Sequence, residues 1–73
     1  MATAAPNTFV EEIGETAGLI WHTLDQSGPM SLAKLVKKLG KARDLIMQAL
    51  GWLAREGKIE IREENRSRVI AIR

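Results

Sequence analysis

The sequence predicts an α+β fold: three helices followed by a small antiparallel sheet. Three observations carry this reading. Apolar residues recur at three- and four-residue spacing through three stretches. Each stretch meets a glycine stop, at Gly28, Gly40 or Gly57. From Lys58 to Arg62 the pattern switches to strict polar–apolar alternation, the signature of a half-buried strand.

The chain has 73 residues, enough for one domain. A chain this short buries a small share of its surface and has a narrow stability margin. It has no Cys and a single His, His22, so disulfides and Cys-based metal sites are unavailable as staples. Good helix packing or a homodimer is expected to stand in for them. No cofactor is expected. The N-terminal MATAAPNT lacks the basic and apolar regions of a signal peptide. No window approaches a membrane span, so a cytoplasmic protein without a membrane partner is expected.

Residues 1–8 are expected to form a flexible tail and residues 9–73 the folded domain. Thr8 followed by Glu11 is a capping-box pattern that starts the first helix near Phe9. Phe9, Val10, Ile13, Ala17, Ile20, Trp21 and Leu24 make one apolar stripe. Gly14 and Gly18 lie inside this helix, where each costs up to about 1 kcal/mol relative to Ala. Either another backbone, such as a partner subunit's, approaches them closely, or they are merely tolerated or serve packing within the monomer. Ser31 is a good N-cap for the second helix, whose core stripe is Leu32, Leu35, Val36 and Leu39.

The third helix spans about residues 42–56. It lacks a Ser, Thr, Asp or Asn cap, and Asp44 in its first turn compensates through the helix dipole. Leu45, Ile46, Ala49, Leu50, Trp52 and Leu53 face the core or its edge, and both tryptophans are expected to pack within the monomer. Glu63 to Ser67 form a polar turn around Asn65. Arg68 to Arg73 return as a strand with Ile70 and Ile72 inward and Val69 and Ala71 outward. Met47, Val69 and Ala71 are therefore expected as exposed apolar residues.

Charge divides the chain. Residues 1–33 carry four acids and no Lys or Arg; residues 34–73 carry all eleven Lys and Arg against five acids. A basic half opposite an acidic one suits an anionic partner, and suits self-association equally well. Lys34, Lys37, Lys38, Lys41 and Arg43 form an acid-free basic window, and Arg66 and Arg68 form a second cluster. These are candidate phosphate contacts, or else solvated surface. The first-helix carboxylates form one solvated face, and the six glycines are too dispersed for a phosphate loop. An enzyme is not expected, nor is a small-molecule substrate.

The order of helix, short strand, helix, turn, helix and two-stranded wing resembles the winged helix-turn-helix superfamily over about residues 9–73. The stretches ALGWLAREGKIEI (Ala49 to Ile61) and AGLIW (Ala17 to Trp21) resemble a group of small stand-alone winged-helix proteins of bacteria and archaea. The superfamily resemblance implies double-stranded DNA as the partner. The third helix would enter the major groove, and the wing would touch the backbone or minor groove. Carried onto this chain, the resemblance implies groove contacts from Arg43, Asp44, Met47, Gln48, Gly51 and Arg55. Wing contacts would come from Arg66, Ser67 and Arg68, and phosphate contacts from Lys37, Lys38 and Lys41. Only Gln48 and Arg43 suit base-edge pairing, so binding mainly through phosphates is expected of a regulator or architectural factor. The alternative is a protein-interaction module, dimerising or docking without physiological DNA binding.

Overall fold

The computed structural model describes residues 8–73. The elements are α1 (Thr8–Ser27), β1 (Met30–Ser31), α2 (Leu32–Leu39), α3 (Arg43–Arg55), β2 (Ile59–Glu64) and β3 (Ser67–Ile72). This is a winged helix-turn-helix. Of the expected tail, residues 1–7 lie outside the described residues, and Thr8 is already helical.

Local chemistry sets the boundaries. At the end of α1, Gly28 takes φ 81 and its N–H donates to the Leu24 carbonyl at 2.8 Å. The Ser31 hydroxyl caps α2 by accepting from the Lys34 N–H at 3.2 Å. Gly40 closes α2 at φ 67, a conformation that strains any side chain with a Cβ. Ala42 gives α3 no side-chain cap, but the Asp44 carboxylate accepts from the Leu45 N–H at 2.8 Å, satisfying one orphan donor. At the far end, Lys58 N–H reaches the Leu53 carbonyl and Gly57 N–H the Ala54 carbonyl, each at 3.0 Å. That pair of bonds is a Schellman motif, and it turns the chain directly into β2.

The sheet has three strands in the order β1-β3-β2, all antiparallel. The short β1 adds to the wing through Met30 opposite Ile70 and Ser31 opposite Val69. The core lies where the helices meet the inner face of this sheet. Ile20, Leu35, Ile46, Leu50 and Ile70 are fully buried in it, with Ala17, Leu24, Met30, Ala49, Leu53 and Ile59 around them.

Several expected placements are corrected. Phe9 and Val10 are exposed, because the first turn of α1 extends past the elements that cover Ile13 to Leu24. Trp52 is 54% exposed. It stands one residue before Leu53, about 100° round the helix, and the core stripe ends there. Met47 is half-buried against the core, and Val69 is half-buried too. Ala71 is buried, since a single methyl in the central strand sits below the level of longer neighbours such as Glu60 opposite. Ile61 is exposed, because the wing runs beyond the helices. The polar turn is tighter than Glu63 to Ser67: Glu64 pairs with Ser67, leaving Asn65 and Arg66 as a two-residue loop.

Candidate nucleic-acid interface

Three elements that are distant in sequence converge beside the wing. Pairing of Ser31 with Val69 brings the first turn of α2 next to the start of β3, where Ser67 and Arg68 lie. On the other side of β3, the register of Glu63 with Arg68 and Glu64 with Ser67 sets the wing tip beside these residues. Arg43, the first residue of α3, completes the ring. The result is a concavity of about 430 Å³ lined by Arg43, Arg66 and Arg68, with Ser31, Leu32, Ala33, Glu63 and Ser67 between them.

Its electrostatics are positive. Three arginines and a single acid, Glu63, line it. Among the described residues, the ion pairs belong to Arg62 alone, which sits 3.6 Å from Glu60 and 4.0 Å from Glu64. Residues two apart share one face of a strand, so these acids occupy Arg62 and leave the wing's other arginines unpaired. Arg43, Arg66 and Arg68 are all exposed and carry no ion pair. The first residues of α2 add the positive end of a helix dipole and N–H groups that the helix itself does not use. Such a surface can hold a phosphate oxygen through several charge-assisted hydrogen bonds.

The remaining candidates lie outside this concavity. Lys37 and Lys38 occupy the last turn of α2, and Lys41 lies in the turn to α3. Gln48 and Arg55 sit on α3, exposed along with Asp44 and Gly51. All eight basic or amide candidates (Lys37, Lys38, Lys41, Arg43, Gln48, Arg55, Arg66 and Arg68) reach solvent. Met47, also expected at the groove, is half-buried against the core.

Sequence reasoning does not single out Leu32 and Ala33 at the start of α2, or Glu63, as part of this surface. The signal that reveals them is the strand register, which ties Ser31 to Val69 across just over half the chain. Among the described residues, no group of three or more His, Cys, Asp or Glu side chains could hold a metal ion. No described helix is long and apolar enough to cross a membrane.

Similarity to known proteins follows the fold. Residues 9–72 match the family described as Winged helix-turn-helix domain (DUF2582). An uncharacterized protein of Methanocaldococcus jannaschii, MJ1608, is 40% identical over 65 residues, covering 85% of this chain and 91% of that protein. The solution structure of protein BT2368 from Bacteroides thetaiotaomicron superposes with a TM-score of 0.75 at 32% identity, over 85% of this chain and 76% of that one. HlyU from Vibrio cholerae superposes at 0.63 with 17% identity, over 96% and 80%. An ArsR family transcriptional regulator superposes at 0.64 with 21% identity, over 97% and 77%. The last two likenesses are likenesses of fold.

Proposed function

Given that the chain belongs to the Winged helix-turn-helix domain (DUF2582) family, we propose that it is a small double-stranded DNA-binding protein, a transcriptional regulator or architectural factor. It grips the duplex mainly through phosphates. The observation that best supports this is the convergence of Arg43, Arg66 and Arg68 on one concavity, free of ion pairs. In this reading Lys37, Lys38 and Lys41 meet the backbone on the other side of α3, which lies in the major groove. Arg55 and Gln48 face the groove, and Gln48 is the amide suited to an adenine edge. The shared fold with an ArsR family transcriptional regulator is consistent with such a role.

The same reading takes the working form to be a homodimer in the cytoplasm. A domain of this size without disulfides has a narrow margin, and two-fold association is a common remedy. A two-fold dimer would also present two α3 helices about 34 Å apart, one turn of DNA.

Charge reversal tests the docking face. Arg66→Glu with Arg68→Glu should lower affinity for a short random duplex at least tenfold at about 50 mM salt, measured by fluorescence anisotropy. An unchanged affinity would remove the wing from the interface. No binding by the unmodified chain at that salt would end the DNA reading.

A further inference from the structure

A second concavity lies on a different part of the surface. It has a volume of about 570 Å³ and runs between α1 and the connection from α3 to β2. Gly14 and Gly18 form one side, Trp21 and Trp52 the apolar lining, and Lys58 and Arg73 the far wall. It shares no lining residue with the Arg43–Arg66–Arg68 concavity.

We propose that this groove is the contact surface between two copies of the chain, each laying its own α1 into the other's groove. The proposal rests on the homodimer reading above and gives it a geometry. Four observations lead to it. A Cβ built on Gly14 or Gly18 meets nothing within 4 Å, so neither glycine serves packing inside the chain. Both nevertheless weaken the helix relative to alanine, and glycine is the residue that lets another backbone come close. Trp52 is 54% exposed, a large apolar ring left uncovered at the mouth of the groove. Lys58 and Arg73 are held side by side by a 3.0 Å bond from the Arg73 N–H to the Lys58 carbonyl, and neither is in an ion pair.

The charges identify the occupant. α1 carries Glu11, Glu12, Glu15 and Asp25 and no Lys or Arg. Glu11 and Glu15 each precede a glycine by three residues, so they lie beside Gly14 and Gly18 on the helix surface. A second α1 seated against the glycines therefore brings its carboxylates to the wall of Lys58 and Arg73. The arrangement is reciprocal, as a closed two-fold contact requires. It buries the tryptophans and leaves the arginine concavity open to DNA.

Two charge-swapped chains test this directly. One carries Glu11→Lys and Glu15→Lys, the other Lys58→Glu and Arg73→Glu. All four positions are exposed, so the fold should survive. Sedimentation equilibrium should find the unmodified chain dimeric and each variant monomeric. Mixing the two variants should restore a one-to-one heterodimer, since both reciprocal contacts then regain opposite charges. Gly18→Leu, which enters open space and favours the helix, should also give a folded monomer. If the unmodified chain is a dimer and the variants remain dimers, or their mixture stays monomeric, the groove is not the interface. The homodimer reading would survive that result. If the unmodified chain sediments near 8.1 kDa at every concentration, the homodimer reading and this geometry both fall.

Discussion

Asn65 and Arg66 stand together at the wing tip, both in the left-handed backbone region, at φ 50 and φ 70. Two adjacent positive φ values linking Glu64 to Ser67 make the tight hairpin turn whose twist matches that of its strands. Asn tolerates this conformation, whereas Arg at the second position does so at a cost of roughly 1 kcal/mol or more. Glycine is the residue such a turn prefers there. Arg66 thus holds a strained backbone and also lines the concavity with Arg43 and Arg68.

Arg66→Gly should therefore separate stability from binding. Relief of about 1 kcal/mol should raise the melting temperature by roughly 4–8 °C in a domain of this size. The same change should weaken binding to duplex of any sequence and make the salt dependence shallower by about one contact. Thermal melts and anisotropy on the same preparation check both. A lower melting temperature would contradict the account of the turn, and an unchanged salt slope would remove Arg66 from the phosphates.

Thr16 offers a second way to stabilise the chain. The residue is 1% exposed and its hydroxyl has no hydrogen-bond partner among the described residues. A buried hydroxyl left unpaired costs about 1–3 kcal/mol, and valine has the same shape without that need. Thr16→Val should raise stability by about 1 kcal/mol in a urea titration, with the slope unchanged. A loss of stability would mean the hydroxyl has a partner after all.

Loss of core volume should act oppositely. Leu35 on α2 and Ile46 on α3 are both fully buried and belong to one cluster. Leu35→Ala or Ile46→Ala should cost about 2–5 kcal/mol, a large part of the stability a small domain has. Circular dichroism at 37 °C should then show a partly unfolded population. Full helicity with an unchanged urea midpoint would contradict the assigned core.

On the DNA side, Lys37→Glu with Lys41→Glu should weaken binding to all sequences about equally, since phosphate contacts carry no sequence information. Gln48→Ala should leave affinity for random duplex nearly unchanged and reduce any preference among sequences. Competition binding with a randomised duplex pool distinguishes the two. A sequence-dependent loss in the lysine variant would contradict its assignment to phosphates.

Helix and strand identities are legible because their signals are local. Ser31 and Gly40 bracket α2, Gly57 closes α3, and the alternation beginning at Lys58 announces β2. How far the cover extends is not a local property. Ile59 and Ile61 read alike in the alternation, yet one is 3% and the other 44% exposed, because the wing outruns the helices. Trp52 reads as a core-edge residue but stands outside, since spacing gives direction and not the reach of a neighbour. The turn around Asn65 is legible from its polar residues, but its two-residue length is not, because it lacks the glycine that normally marks such a tight turn. Likewise, nothing near Arg43 indicates that it will meet Arg66 and Arg68. Their meeting depends on the pairing of Ser31 with Val69, a contact between distant parts of the chain.

A grip on phosphates shows itself in the salt dependence of binding to random duplex. With roughly 4–6 phosphate contacts per subunit and a slope near −0.9 for each, affinity should fall about a hundred- to a thousandfold between 50 and 200 mM salt. Anisotropy titrations across that range should give a straight log–log line of that steepness. Affinity that does not change with salt, or no binding at 50 mM salt and high micromolar protein, would contradict a chain that grips DNA by its phosphates.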